Sequence, residues 1–340
     1  MEILSYCFRK RDGDIIKSLN ENLNMNPASN MKIISGYAAY SILTKKFKFK
    51  TRFSYKNRII YVSGDPTFLM SYDDLKGTLD KLYYENVIID IKFSDIYDHQ
   101  LYGKSWEIED VKNCYGAPLF PYTVNEGCIA ESGLPANPHV ESGIPLNEIR
   151  QIILDISANR RRERRTLKNI TDYETALEDV LRHIMVYSCN YNIELLTKYL
   201  AYKADGRGTW DRGKDIIKEF LNNFYGKNEV NIDDGSGLSV KNLVTTGFMS
   251  EFIRKINNKN GEFLRLLPKP GEGTMAERIP GAENFGIYAK TGTIFGTSFL
   301  SGIAEKKGIS FSIGINNSTS GERDRERLID SILLETLKSA

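Results

Sequence analysis

Between about residue 98 and residue 148 the chain loses its periodicity, and that interruption limits what the rest can fold into. Gly116, Pro118, Pro121, Gly127, Gly133, Pro135, Pro138, Gly143 and Pro145 recur across it. Such dense Gly and Pro punctuation fits loops and short strands and argues against a long helix. The stretch therefore reads as an inserted subdomain. Both flanks are regular. Residues 3–19 read as two short strands about the turn signal Arg11-Asp12-Gly13, and residues 47–63 alternate like strands. Between them Met31, Ile34, Ala38, Ala39, Ile42 and Leu43 recur at helical spacing with one buried face, and Pro27 and Ser29 fit a helix start near residue 28. Residues 74–85 read as a helix and 86–93 as a buried strand. Beyond the interruption, helices are expected at 147–158, 172–187, 191–203, 211–225 and 241–257. A strand series follows at 285–290, 297–305 and 309–316, the last two joined by the hairpin signal Lys306-Lys307-Gly308, and an amphipathic helix closes the chain at 323–337.

At 340 residues the chain suits two domains, or one large domain with an insert. Apolar residues at 41% and charged residues at 26% are enough for a sizeable core and exclude general disorder. The net charge of +2 supplies no field of one sign, so nucleic acid is not an expected partner. No apolar run approaches the ~18 residues of a membrane span. The first residues carry no basic region followed by an apolar run, so no signal peptide is visible. The compartment stays open between the cytoplasm and an extracytoplasmic setting reached with a targeting segment since removed.

Cys7, Cys114, Cys128 and Cys189 form no Cys-x-x-Cys pair, so zinc is not expected and free thiols are the simpler reading. With only His99, His139 and His183, and no His-Glu-x-x-His, a metal hydrolase is disfavoured; no metal or cofactor is expected. There is no Gly-x-Ser-x-Gly elbow either. If the chain is an enzyme, its base is not expected to be histidine. Gly208 to Asp215 nearly spells a phosphate-binding loop but ends on Asp where Ser or Thr is needed, and Gly271 to Ala276 mimics a dinucleotide fingerprint without a preceding strand. The run Arg160-Arg161-Arg162-Glu163-Arg164-Arg165 has no interleaved aromatics and reads as a solvated connection.

Three short motifs remain, in order: Ser29-Asn30-Met31-Lys32, Ser188-Cys189-Asn190 and Lys290-Thr291-Gly292-Thr293. Ser-x-x-Lys alone arises about once in a chain this long from ordinary composition, and Lys-Thr-Gly in about one chain in ten. Their order and their settings carry the weight. Ser29 and Lys32 share one face of a helix start, where backbone N–H groups favour developing negative charge. A serine hydroxyl needs a base to become a nucleophile, and a lysine made neutral by burial and a second cation can serve. Lys290 supplies the second cation. Ser188 and Asn190 lie between two expected helices, where they can present a hydroxyl and an amide to a cleft. Lys290 to Thr293 ends a strand that can pair with an extended peptide.

On these motifs the chain resembles the penicillin-recognising serine enzymes. Within them it is most similar to D-Ala-D-Ala carboxypeptidase/endopeptidases of the DacB type, the class C low-molecular-mass penicillin-binding proteins. Further stretches carry the likeness: Asn26 to Lys32, Gly64-Asp65-Pro66-Thr67, Tyr115-Gly116-Ala117-Pro118, Asp234 to Ser239, and Ala289 to Thr293. The resemblance implies an α/β (α+β) fold, a β-lactamase/transpeptidase-like domain with an antiparallel sheet flanked by helices. Residues 1–46 and 150–340 would form it, and 47–149 an inserted subdomain reduced relative to the family. It implies roles as well. Ser29 would be acylated by the penultimate D-Ala carbonyl, with Lys32 its base. Ser188 would relay a proton to the leaving amine, in contact with Lys32 and Lys290, and Asn190 would hold the substrate amide. Lys290, Thr291 and Thr293 would bind the terminal carboxylate, and Gly292 counts with Thr291 and Thr293 among the substrate-binding residues. The N–H groups of Ser29 and Thr293 would form an oxyanion hole. The implied ligands are a peptide ending in D-Ala-D-Ala and, as inhibitors, β-lactams. The alternatives are a related serine hydrolase (a D-amino-acid amidase, an esterase or a β-lactamase-like enzyme) and a non-catalytic binding protein.

Overall fold

The computed structural model describes residues 2–82, 88, 90–130, 143–145, 150–158, 169–226, 230–259 and 261–340. The chain runs β1 (Ile3–Arg9), β2 (Ile15–Leu19), α1 (Met31–Leu43), β3 (Lys48–Lys56), β4 (Ile59–Gly64), α2 (Tyr72–Lys81), β5 (Asp90–Phe93), β6 (Cys128–Ala130), β7 (Gly143–Pro145) and α3 (Arg150–Ala158). It continues through β8 (Ile170–Ala176), α4 (Leu177–Tyr187), α5 (Asn190–Asp205), α6 (Trp210–Tyr225), α7 (Thr246–Lys259), β9 (Ile287–Ile294), β10 (Thr297–Ala304), β11 (Ile309–Asn316) and α8 (Glu322–Ser339). The arginine-rich run 160–165 lies outside the described residues. Among the described residues no helix is long and apolar enough to cross a membrane.

The chain forms two compact units. Unit 1 takes residues 1–42, 181–193 and 214–340; unit 2 takes 43–180 and 194–213. This division differs from the expected insert at 47–149. The cause lies in β8, which the sequence pattern reads as the start of a helix over 172–187. Residues 170–176 are instead extended and pair antiparallel with β3 in unit 2. Thr171, Tyr173 and Thr175 alternate with Asp172 and Glu174, the period of a strand. Arg52 and Lys50 stand directly opposite the two carboxylates, at 2.9 Å from Asp172 and 2.8 Å from Glu174, which favours this register.

Unit 1 is built on a five-stranded sheet in the order β2-β1-β11-β10-β9, antiparallel throughout. Every residue of β10 and β11 is buried. Ile329, Leu333 and Leu337 of α8 join Phe8, Leu300, Phe311 and Ile313 in one apolar cluster. The α/β class with an antiparallel sheet and flanking helices agrees with the sequence. One detail does not: α1 is buried on all sides over residues 31–40, not on a single face. Tyr37 explains the enclosure, because its ring meets Phe220, Phe224, Phe252 and Phe263 at 5.2–5.8 Å in edge-on contacts. The helix expected at 241–257 starts later, at Thr246, because Leu243 and Val244 are drawn into bridges with Asn231 and Met25.

Unit 2 holds a four-stranded sheet in the order β5-β4-β3-β8, with β4 and β5 parallel, and a small pair β6-β7. Phe49, Phe68 and Tyr199 pack at its core, with Phe49 4.2 Å from Phe68. The expectation of free thiols needs a correction here. Short turns bring Cys114 and Cys128 to a Cα separation of 5.4 Å, and they form a disulfide; Cys7 and Cys189 are buried thiols outside it.

Tyr37→Ala removes the ring around which α1, α6 and α7 of unit 1 pack. The expected loss is about 3–5 kcal/mol, read as a lower denaturation midpoint than that of the unaltered chain.

Candidate active site

Four chain segments of unit 1 supply the site. A single 3-10 turn, Ala28–Asn30, leads into α1 and places Ser29 at the entrance with its hydroxyl partly accessible. Lys32 follows one turn on and has no exposure. Its Nζ donates to Ser29 Oγ at 2.8 Å, to Asn190 Oδ1 at 2.6 Å and to the Ser236 carbonyl at 2.8 Å. Ser29, Lys32 and Asn190 are thereby joined as the sequence spacing alone could not show.

Ser188 caps α4 in the left-handed conformation, with φ of 59°, and is partly accessible. Among the described residues no hydrogen bond ties its hydroxyl to Lys32 or Lys290. Cys189 is buried, and its Sγ accepts the Asn192 N–H at 3.4 Å. The mid-motif thiol thus serves the start of α5.

Lys290 lies on β9, the edge of the sheet, and is fully buried. Its ammonium donates to the Thr291 carbonyl at 2.9 Å. Burial first, and the charge of Lys32 second, hold it well below the ordinary lysine range. The repulsion works against both ammonium groups being charged at once. The Ala289 N–H turns away from β10 to the Pro268 carbonyl at 3.0 Å. Two-residue alternation then directs the N–H and C=O groups of Thr291 and Thr293 to the same free edge. Gly292 is the contact point between β9 and the serine turn. A side chain there would begin 2.7 Å from Asn30 Nδ2, 2.7 Å from the Pro27 carbonyl and 3.0 Å from the Ser29 nitrogen.

The residues 234–239 were quoted above only for their likeness, yet they hold the centre in place. Asp234 accepts from the Gly237, Ser239 and Asn242 nitrogens at 2.6–2.7 Å and folds the segment into a tight loop. The loop then turns its own carbonyls outward, Ser236 to Lys32 and Gly235 to Ser35 Oγ at 2.6 Å. Gly237, at φ of 83°, lies so close to Ala28 that an added Cβ would stand 1.8 Å from its carbonyl oxygen. Ala28 itself has φ of 45°, a strained value for a residue with a side chain. The acceptor on Lys32 is a backbone oxygen, so no residue type could have announced it; the Asp-Gly-Ser-Gly turn was the available signal.

Residues 8–159 and 171–336 match the family described as D-Ala-D-Ala carboxypeptidase 3 (S13). The chain belongs to this family. It is 34% identical over 165 residues to a D-alanyl-D-alanine carboxypeptidase of an Actinomadura species, an alignment covering 45% of this chain and 30% of that protein. It is 31% identical over 179 residues to penicillin-sensitive carboxypeptidase A of Dictyostelium discoideum, covering 46% and 33%. These matches span about a third of each relative's length. Among solved structures, penicillin binding protein 4 (dacB) from Haemophilus influenzae superposes with a TM-score of 0.75 at 18% identity, over 94% of this chain and 92% of that one. The same protein complexed with a β-lactam gives 0.69, also at 18% identity, over 94% and 91%. The structural likeness extends the family's fold across almost the whole chain.

Two predictions test the site. Gly237→Ala puts a side chain at φ of 83° and against the Ala28 carbonyl; the expected loss is about 1–3 kcal/mol, read as a lower denaturation midpoint. Lys290→Met removes a buried ammonium. A lysine whose folded pKa is depressed destabilises the protein fully below that pKa. The penalty shrinks as pH rises toward the unfolded value of 10.5 and vanishes above it. Lys290→Met should therefore raise the denaturation midpoint at neutral pH, and the gain should fade as pH approaches that value.

Proposed function

We propose that this chain is a serine DD-carboxypeptidase, forming an acyl-enzyme on Ser29 with the penultimate D-Ala of a D-Ala-D-Ala peptide. The observation that carries the reading is the 2.8 Å contact between Ser29 Oγ and the buried Lys32, with Asn190 on the same ammonium. Family membership supports it.

In this reading the substrate lies extended along the free edge of β9. Its terminal carboxylate meets Lys290, Thr291 and Thr293. An arriving carboxylate favours the charged form of Lys290, so binding draws a proton onto an ammonium that burial otherwise disfavours. Lys32, in its neutral form, accepts the Ser29 proton as Oγ attacks the carbonyl carbon. The oxyanion is received by the N–H groups of Ser29 and Thr293, each worth about 3–4 kcal/mol in comparable sites. Ser188 passes the proton to the departing D-Ala amine, while Asn190 holds the substrate amide and fixes Lys32. Water then attacks the acyl-enzyme, releasing the shortened peptide and restoring the hydroxyl. A β-lactam enters the same path and stays on Ser29, because its leaving group remains tethered.

The test is incubation with a fluorescent penicillin, mapping of the adduct by mass spectrometry, and an assay of D-Ala release from a D-Ala-D-Ala peptide. A stable adduct on Ser29 together with D-Ala release is the expected result. Rapid release of opened β-lactam without D-Ala release would instead favour a β-lactamase-like enzyme. Ser29→Ala and Lys32→Ala should each abolish acylation; full D-Ala release by Ser29→Ala removes it from its role. Lys290→Ala should weaken substrates with a free carboxylate by at least tenfold more than their amidated forms, compared through kcat/KM.

A further inference from the structure

We propose that unit 2 carries a binding site for a neutral saccharide unit, in the cavity framed by residues 93–101 and 119–122. The cavity has a volume of about 330 Å³, within the range of small-ligand sites. All its lining residues belong to unit 2, whereas the groups assigned to the peptidase reaction belong to unit 1. The inference therefore stands apart from that reading.

The frame is preformed. Leu119 N–H donates to the Leu101 carbonyl at 2.9 Å, Asp98 N–H to Gly208 at 3.0 Å, and Gly208 N–H to Ile96 at 2.8 Å. Tyr97 Oη is tied to the Leu195 carbonyl at 2.7 Å and Tyr122 Oη to that of Gly64 at 3.0 Å. Phe93 and Tyr122 lie nearly parallel, with centroids 5.9 Å apart and planes 19° apart, and together form an aromatic wall. Phe120 and Leu101 extend the apolar lining.

The polar element is Asp98. Lys198, whose side chain has 0% exposure, donates to Asp98 Oδ1 at 2.5 Å and to the Gln100 carbonyl at 2.8 Å. That ammonium also sits 4.5 Å from the Trp210 ring centroid and 5.2 Å from that of Tyr97, so it cannot swing away without losing all four contacts. Asp98 Oδ1 is thereby occupied. Its Oδ2 has no protein donor among the described residues, and the side chain is 25% exposed. The result is a fixed acceptor among aromatic and aliphatic walls.

Charge decides the ligand class. Lys198 cancels Asp98, and Asp95 has Arg207 at 3.9 Å. The lining therefore favours neither a free cation nor an anion. What fits is a neutral molecule that gives hydroxyl or amide donors to Asp98 and lays a C–H face on the rings, which is the surface of a sugar ring.

The experiment uses the full chain and the disaccharide of N-acetylglucosamine, followed by titration calorimetry and hydrogen exchange. Saturable binding with a Kd below about 1 mM, with exchange slowed in 93–101 and 119–122, is the expected result. Phe120→Ala should weaken binding by about tenfold while penicillin acylation of Ser29 is unchanged. The exchange footprint on the unaltered chain needs no variant, so it judges the site even if Phe120→Ala misfolds. Absence of saturation, protection confined to other segments, or tighter binding of benzylamine than of the disaccharide would each overturn the proposal.

Discussion

An ammonium group with no access to water persists in a fold only where its donors are matched, because an unmatched buried charge costs several kcal/mol. Lys32 meets that requirement through Ser29, Asn190 and the Ser236 carbonyl. The consequence reaches well beyond one side chain. Three stretches of chain remote in sequence are pulled to one atom, and the arrangement of unit 1 follows from holding them there. The Asp234 loop exists to present a carbonyl, α5 begins where it does so that an amide oxygen reaches the same point, and α1 is enclosed on all sides so that water is kept out. Lys290 adds the opposing effect. Fully buried in the same unit, it is pushed by that burial and by the charge of Lys32 well below the ordinary lysine range.

What could be read from the sequence follows the nature of each interaction. Ser29, Lys32 and Asn190 were legible because side chains do their work and side chains are what a sequence spells. Ser236 was not, since its contribution is a peptide oxygen that any residue carries. Gly237 and Gly292 matter for atoms they lack, and only the packing of Ala28 and Asn30 against them reveals that. The role given to Ser188 rests on its place in the chain and its left-handed backbone, for its hydroxyl makes no bond to either lysine in the structure. The same reasoning explains the failures in the fold. Residues 170–176 are short and carry two carboxylates, so their helical and extended readings compete until Arg52 and Lys50 are seen opposite them. The pairing of Cys114 with Cys128 depended on turns that no periodicity predicts.

Strain marks the same region. Ala28 and Ser188 both adopt left-handed backbone, a conformation that costs on the order of 1–3 kcal/mol for such residues. Each immediately adjoins or forms part of a motif assigned to catalysis. Ala28 bends the chain so that the Ser29 nitrogen faces β9, and Ser188 turns α4 into α5 so that Asn190 can point inward. The surrounding packing, Gly237 above all, holds the first of these postures in place.

The sheet of unit 1 joins segments far apart in sequence, for Ile3 stands opposite Asn316 across the pair β1 and β11. During synthesis β1 and α1 emerge well before β9, β10 and β11. Until then β1 has no neighbour on its inner side and exposes an open strand edge of the kind that aggregates. A nascent chain of this design cannot cover that edge of β1 until β11 has been made.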